Sequence, residues 1–189
     1  MHAETFLHET ARIASLLDAH RIEAMVRELH ALRERRGRLF VIGLGGSAAN
    51  ASHAVNDFRK LCSIEAYAPT DNVAELTARA NDEGWGTIFS GWMTFVTLND
   101  ALMVLSVGGG SEKVSLPLIE AVNQAKSIGM KILAIVGRDG GYTAKHSDYC
   151  LIVPTVEASH VTPHTESFQS VILHCLVSHP DLQRKLTRW

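Results

Sequence analysis

The feature that most constrains this chain is a strand that runs straight into a glycine turn and a helix, and it occurs twice. Leu39–Ile42 is followed by Gly43-Leu44-Gly45-Gly46-Ser47, and Ala101–Leu105 is followed by Ser106-Val107-Gly108-Gly109-Gly110-Ser111. Short apolar strands alternate with helical stretches along the rest of the chain. Strands are expected at Arg38–Ile42, Ile64–Tyr67, Ala101–Ser106, Lys131–Gly137 and Tyr149–Val153. Helices are expected at Ser47–Leu61, Val73–Ala80, Gly86–Thr97, Lys113–Ile128, Tyr142–His146 and Pro163–Leu176. That alternation calls for a parallel sheet covered on both faces, an α/β fold. Ahead of it, residues 1–36 read as helix, with a break near Asp18–Arg21. Such a leading segment either covers its own domain or packs on another subunit. A chain of 189 residues, without repeat or linker, is expected to form one domain over 1–189.

In parallel sheets ligands bind beyond the carboxyl ends of the strands. Glycines there let the backbone turn tightly around an anion, and the following helix start adds partial positive charge. Ser47, Ser106 and Ser111 add hydroxyl donors. Two such corners in one sheet point to a phosphate-bearing ligand. The first has no glycine at the last position of a dinucleotide fingerprint, and no Lys-Ser/Thr as in a nucleoside-triphosphate loop.

His53 and Asp57 stand four apart on the helix that the first corner starts, hence on one face. Glu166 and His174 stand eight apart on the last helix, also on one side. A histidine and a carboxylate can move a proton between the two carbons flanking a carbonyl, as aldose–ketose isomerisation requires. Two imidazoles and two carboxylates equally suit a zinc ion. A net charge of −2 gives no reason to expect a nucleic-acid partner, and no apolar run reaches membrane-spanning length. The first residues lack a signal peptide's apolar core, so a cytoplasmic protein is expected. Cys62, Cys150 and Cys175 are too scattered for a disulfide framework and read as buried small hydrophobes.

Several runs together carry a resemblance: VIGLGGSAANASHAVNDF, NDEGWGTIFSGW, LSVGGGSEKV, GRDGGYTAKHSDYCLIVP and TPHTESFQSVILH. They resemble the sedoheptulose 7-phosphate (phosphoheptose) isomerases of the sugar-isomerase, or SIS, group. The likeness covers nearly the whole chain. It implies a flavodoxin-like three-layer α/β/α sandwich with N-terminal helices, a homotetramer with sites between subunits, and a route through an enediol toward surface-glycan heptose such as that of lipopolysaccharide. By position it implies Asp57 and His174 as the acid–base pair, and a zinc ion on His53, Asp57, Glu166 and His174. It places Gly45, Gly46, Ser47, Asp82, Ser106, Gly108, Gly109, Ser111 and Glu166 around the sugar phosphate.

Four departures stand out. Asp57 replaces a glutamate, Glu166 a glutamine, Leu44 an asparagine, and Val107-Gly108 a Thr-Ser pair. Two hydroxyl donors to phosphate are thereby missing, and Lys113 and Arg138 are the nearby cations that could reach in. Alternatives are an isomerase of another ketose phosphate, or a non-catalytic SIS protein that regulates or assembles.

Overall fold

A computed structural model of the chain describes residues 1–111 and 113–186. Five strands form one parallel sheet: β1 (Leu39–Gly43), β2 (Ala66–Tyr67), β3 (Ala101–Ser106), β4 (Lys131–Val136) and β5 (Tyr149–Ile152). Their order is β2-β1-β3-β4-β5, with Leu39 paired to Ala66 on one side and Ala101 on the other. This is the doubly wound order in which the winding reverses between β1 and β3. Both glycine corners leave the sheet at that reversal.

Among the described residues seven α-helices surround the sheet: α1 (His2–Leu16), α2 (Ala19–Glu34), α3 (Gly46–Cys62), α4 (Val73–Asp82), α5 (Leu116–Ile128), α6 (Gly141–His146) and α7 (Val161–Val177). The strands alternate between two cores. Leu39, Val41, Met103, Leu105, Leu133 and Ile135 pack with α2, α3 and α7. Phe40, Ile42, Leu102, Val104, Ile132 and Ala134 pack with α5 and the 88–93 turns. The central strands are buried on both faces, so they read as continuous apolar runs. The break expected near Asp18 is a helix start, whose side chain accepts from the His20 and Arg21 amides.

Three expectations need correcting. Gly86–Thr97 is not a helix. A short 3-10 turn at Trp85–Thr87 is followed by separate turns, such as Gly91 N–H to Thr87 O at 2.7 Å. Threonine hydroxyls bond the backbone nearby (Thr87 to Gly84, Thr94 to Gly91), and they compete with a helical ladder. The helical spacing of apolar residues there reflects Ile88, Phe89 and Met93 plugging one core. The next helix starts at Leu116, not Lys113, because Ser111 and Val114 bond each other's backbone and Pro117 belongs in a first turn. Cys175 is exposed; only Cys62 is fully buried, and burial pushes its thiol pKa up to about 11.

Asp100, 2% exposed, joins the turn before β3 to the start of β1. It accepts from the Arg38 amide and guanidinium at 2.8–3.1 Å and from the Thr97 amide at 2.7 Å. Burial pushes its carboxyl up, but the Arg38 and Thr97 donors outweigh burial and hold it below the usual range. Asp100→Ala leaves those donors unpaired, and it is expected to cost about 3 kcal/mol. A lowered urea midpoint with unchanged slope checks this.

Candidate functional site

At the reversal point the loops after β1, β3 and β4 surround a cavity of about 690 Å³. Ser47, Ser106, Gly108 and Ser111 line it, together with Leu44. Gly45 has a φ of +62° at the corner that starts α3. Gly46 faces the Glu166 carboxylate so closely that an added Cβ would sit 2.5 Å from it. Ser106 is buried, and its hydroxyl accepts from the Gly109 amide at 3.0 Å. Gly109 is the buried pivot of the second corner, with a φ of +67°.

Of the third wall, sequence reasoning named Arg138 alone. The loop from Gly137 into α6 brings Arg138, Asp139, Gly141, Tyr142 and Lys145 to the cavity, and Thr162 comes from the start of α7. A signal was available: Gly137-Arg138-Asp139-Gly140-Gly141 is a third glycine turn between a strand and a helix. Lys113 does not line the cavity.

From the cavity a polar seam descends between α3 and α7, which run side by side in the same direction. Glu166 sits beside Gly46 at the top. Below it, the Asn50 amide donates to the Glu166 carbonyl and to Gln169 Oε1, and the Ser170 hydroxyl donates to Asn50. About 9 Å below Ser47, by helical rise, is His53. There His53 Nε2 and His174 Nε2 are 3.0 Å apart, and Asp57 Oδ2 lies 3.3 Å from the first and 3.6 Å from the second. Asp57 is buried at 5% exposure, while both imidazoles stay half open to solvent. Its other oxygen accepts from the Asn56 amide at 3.0 Å. The structure thus joins three of the four proposed metal residues and leaves Glu166 at the corner. Asp82 stands apart, exposed at the end of α4 and bonded to Asn81.

The three converging atoms fit a small divalent ion. Bonds of about 2.0–2.1 Å in tetrahedral geometry put ligand atoms about 3.3–3.4 Å apart. The observed spacings straddle that value. Two imidazoles and one carboxylate with an exposed side also match a catalytic metal's need for an open position.

A second group of the same residue types fits less well. Glu9 Oε2 lies 2.8 Å from both His160 Nδ1 and His164 Nε2, which is hydrogen-bond length. His164 Nδ1 is buried without a partner, so a metal-bound imidazole would have no acceptor for the proton carried there. The group is a clasp that fastens α1 to α7, with Phe6 stacked on His164 at 4.2 Å. Hydrogen bonds from His164 and His160 hold the Glu9 carboxyl below its ordinary range. A depressed carboxyl contributes stability above its unfolded value and loses it as pH falls through the folded one. Acidification is therefore expected to release α1 early, and hydrogen exchange in α1 checks it. In Glu9→Gln that acid step disappears.

The SIS domain family matches residues 5–137. The phosphoheptose isomerase of Helicobacter pylori (strain HPAG1) is 32% identical over 149 residues, 76% of this chain and 73% of its own length. The phosphoheptose isomerase GmhA of Neisseria gonorrhoeae superposes with a TM-score of 0.81 at 25% identity, over 93% of this chain and 96% of that one. That of Francisella tularensis gives 0.80 at 24% identity, over 93% and 92%.

Proposed function

From a chain that belongs to the SIS domain family and, within it, to the phosphoheptose isomerases, we propose that the cavity and seam convert D-sedoheptulose 7-phosphate into D-glycero-D-manno-heptose 7-phosphate. The observation that carries this is the convergence of Asp57, His53 and His174 about two helical turns below a hydroxyl-lined cavity. The phosphate occupies the cavity, where Ser47, Ser106 and Ser111 donate to it and the start of α3 adds its dipole. The carbon chain then extends down the seam, so the ketose end meets the cluster. His174 removes a proton from C1, beside the C2 carbonyl, as that oxygen gains one. The resulting enediol takes the proton back at C2 while the C1 hydroxyl gives up its own, and the aldehyde forms. Asp57 orients the imidazoles and offsets the positive charge that develops on His174.

His53, Asp57 and His174 are the residues that would hold zinc, and His174 Nε2 would serve either the ion or the proton, not both at once. When bound, the ion would polarise the substrate oxygens. In the proposal Glu166 helps hold the sugar at the Gly46 corner, where Gly45 and Gly46 bring the backbone close. The protein is one domain, cytoplasmic, and serves the making of surface-glycan heptose. Among the described residues no helix is long and apolar enough to cross a membrane. It works as a homo-oligomer, a tetramer, through residues 1–36. Exposed Leu7 and Leu16 in that segment support such contacts. Asp82, remote from its own cavity, would serve a neighbouring subunit.

A sugar-phosphate-binding regulator is the second reading, favoured by the apolar Leu44 and Val107 on the cavity wall. It leaves unexplained why a buried aspartate faces two open histidines. Incubation with sedoheptulose 7-phosphate separates the readings: aldose phosphate forms under the first, and binding without turnover supports the second.

A further inference from the structure

We propose that Arg138 and Lys145 are the cationic half of the phosphate site, taking the place of the missing hydroxyl donors. This rests on reading the cavity as a sugar-phosphate site. Leu44, Val107 and Gly108 line the cavity and carry no side-chain donor. The wall formed by the loop after β4 and the start of α6 carries two cations, Arg138 and Lys145. Neither forms an ion pair among the described residues. The acidic neighbour on that wall, Asp139, is turned to its own loop, where Oδ1 accepts from the Gly141 amide at 3.1 Å. Two cations without an ion-pair partner among the described residues, on a wall of a cavity rich in hydroxyl groups, suit a phosphate dianion.

The loop bearing these cations is bolted to the second glycine corner. The Tyr142 amide donates to Gly110 O at 2.9 Å, and the Thr143 amide and hydroxyl donate to Gly109 O at 2.9 and 2.7 Å. The Gly137 amide donates to Ser106 O at 3.2 Å. An added Cβ on Gly109 would lie 1.8 Å from Gly140 O, so the two loops touch backbone to backbone. Arg138 itself adopts a φ of +50°, a conformation uncommon outside glycine and found where surroundings enforce it. The cations are therefore delivered by a fixed support and not by a swinging loop. Both side chains reach solvent, so removing them leaves the core intact.

The test uses Arg138→Met, Lys145→Met and the double variant. Two readouts are taken: KM and kcat for sedoheptulose 7-phosphate, and binding of inorganic phosphate by titration calorimetry. Each single variant is expected to raise KM and the phosphate Kd about tenfold, with kcat within about twofold. The double variant exceeds either, and its KM loses most of the salt dependence of the parent. Arg138→Lys recovers most of the affinity, which a merely structural role would not produce. A double variant with unchanged phosphate Kd overturns the assignment, as does a parent chain that binds no phosphate. If the parent turns over no ketose phosphate, yet phosphate binding still depends on both cations, the isomerase reading fails and this assignment stands.

Discussion

Asp57→Ala and His174→Ala are each expected to lower turnover of sedoheptulose 7-phosphate by about 10³-fold, within the range that a positioned acid or base contributes. Neither is expected to unfold the protein. His174 is half exposed, so its loss opens no cavity in the core. Asp57 is a buried carboxylate on the seam, and alanine removes its desolvation cost together with its contacts. Asp57→Asn separates charge from shape, since it keeps the volume beneath the imidazoles and loses the anion. Its rate is expected to follow Asp57→Ala and not the parent. The pair is expected to be non-additive, because the two side chains meet at 3.6 Å and act on one proton path. Wild-type rates in both single variants would remove the cluster from the chemistry.

The second large effect is expected at Gly109. Alanine there must adopt a φ of +67°, and its Cβ falls 1.8 Å from Gly140 O and 2.4 Å from the same carbonyl's carbon. Both obstructing atoms are backbone, so no rotamer can swing away. Strain from the left-handed conformation and overpacking together amount to about 3 kcal/mol. The damage spreads, because Gly109 O receives both Thr143 bonds that hold the third wall in place. Gly109→Ala is therefore expected to lower the urea midpoint and to weaken phosphate binding together. Gly108→Ala is the control. Its Cβ would meet nothing within 4 Å, so stability is expected to stay put. Equal stability of the two variants would mean that the loops are not locked as described.

The pattern of strands and helices was legible because it rests on local chemistry. The central strands are apolar on both sides, the helix starts carry Asp18 and Pro163 in fitting places, and Gly129 ends α5 in the left-handed conformation. The doubly wound order itself came from the resemblance, since β-strand neighbours are set by long-range packing. The region 86–97 misled because apolar spacing records which side chains are buried, not which backbone carries them. The spacing of His53, Asp57 and His174 put each on a usable face, but only tertiary packing of α3 on α7 could bring three atoms within 3.6 Å. Glu166 was placed with them by position alone. Its helix instead sets it two turns away, against Gly46. Of the third wall only Arg138 was legible, as a nearby cation, because Gly137–Gly141 carries no serine and serines mark the other two corners.

The central claim is that this chain moves a proton between C1 and C2 of a ketose phosphate. It is tested most directly by proton NMR of sedoheptulose 7-phosphate incubated with the protein in deuterated water. The account predicts conversion to aldose phosphate with deuterium at C2, since a proton held on His174 exchanges with solvent, and loss of that signal in Asp57→Asn. A ketose that stays unconverted and undeuterated would contradict it.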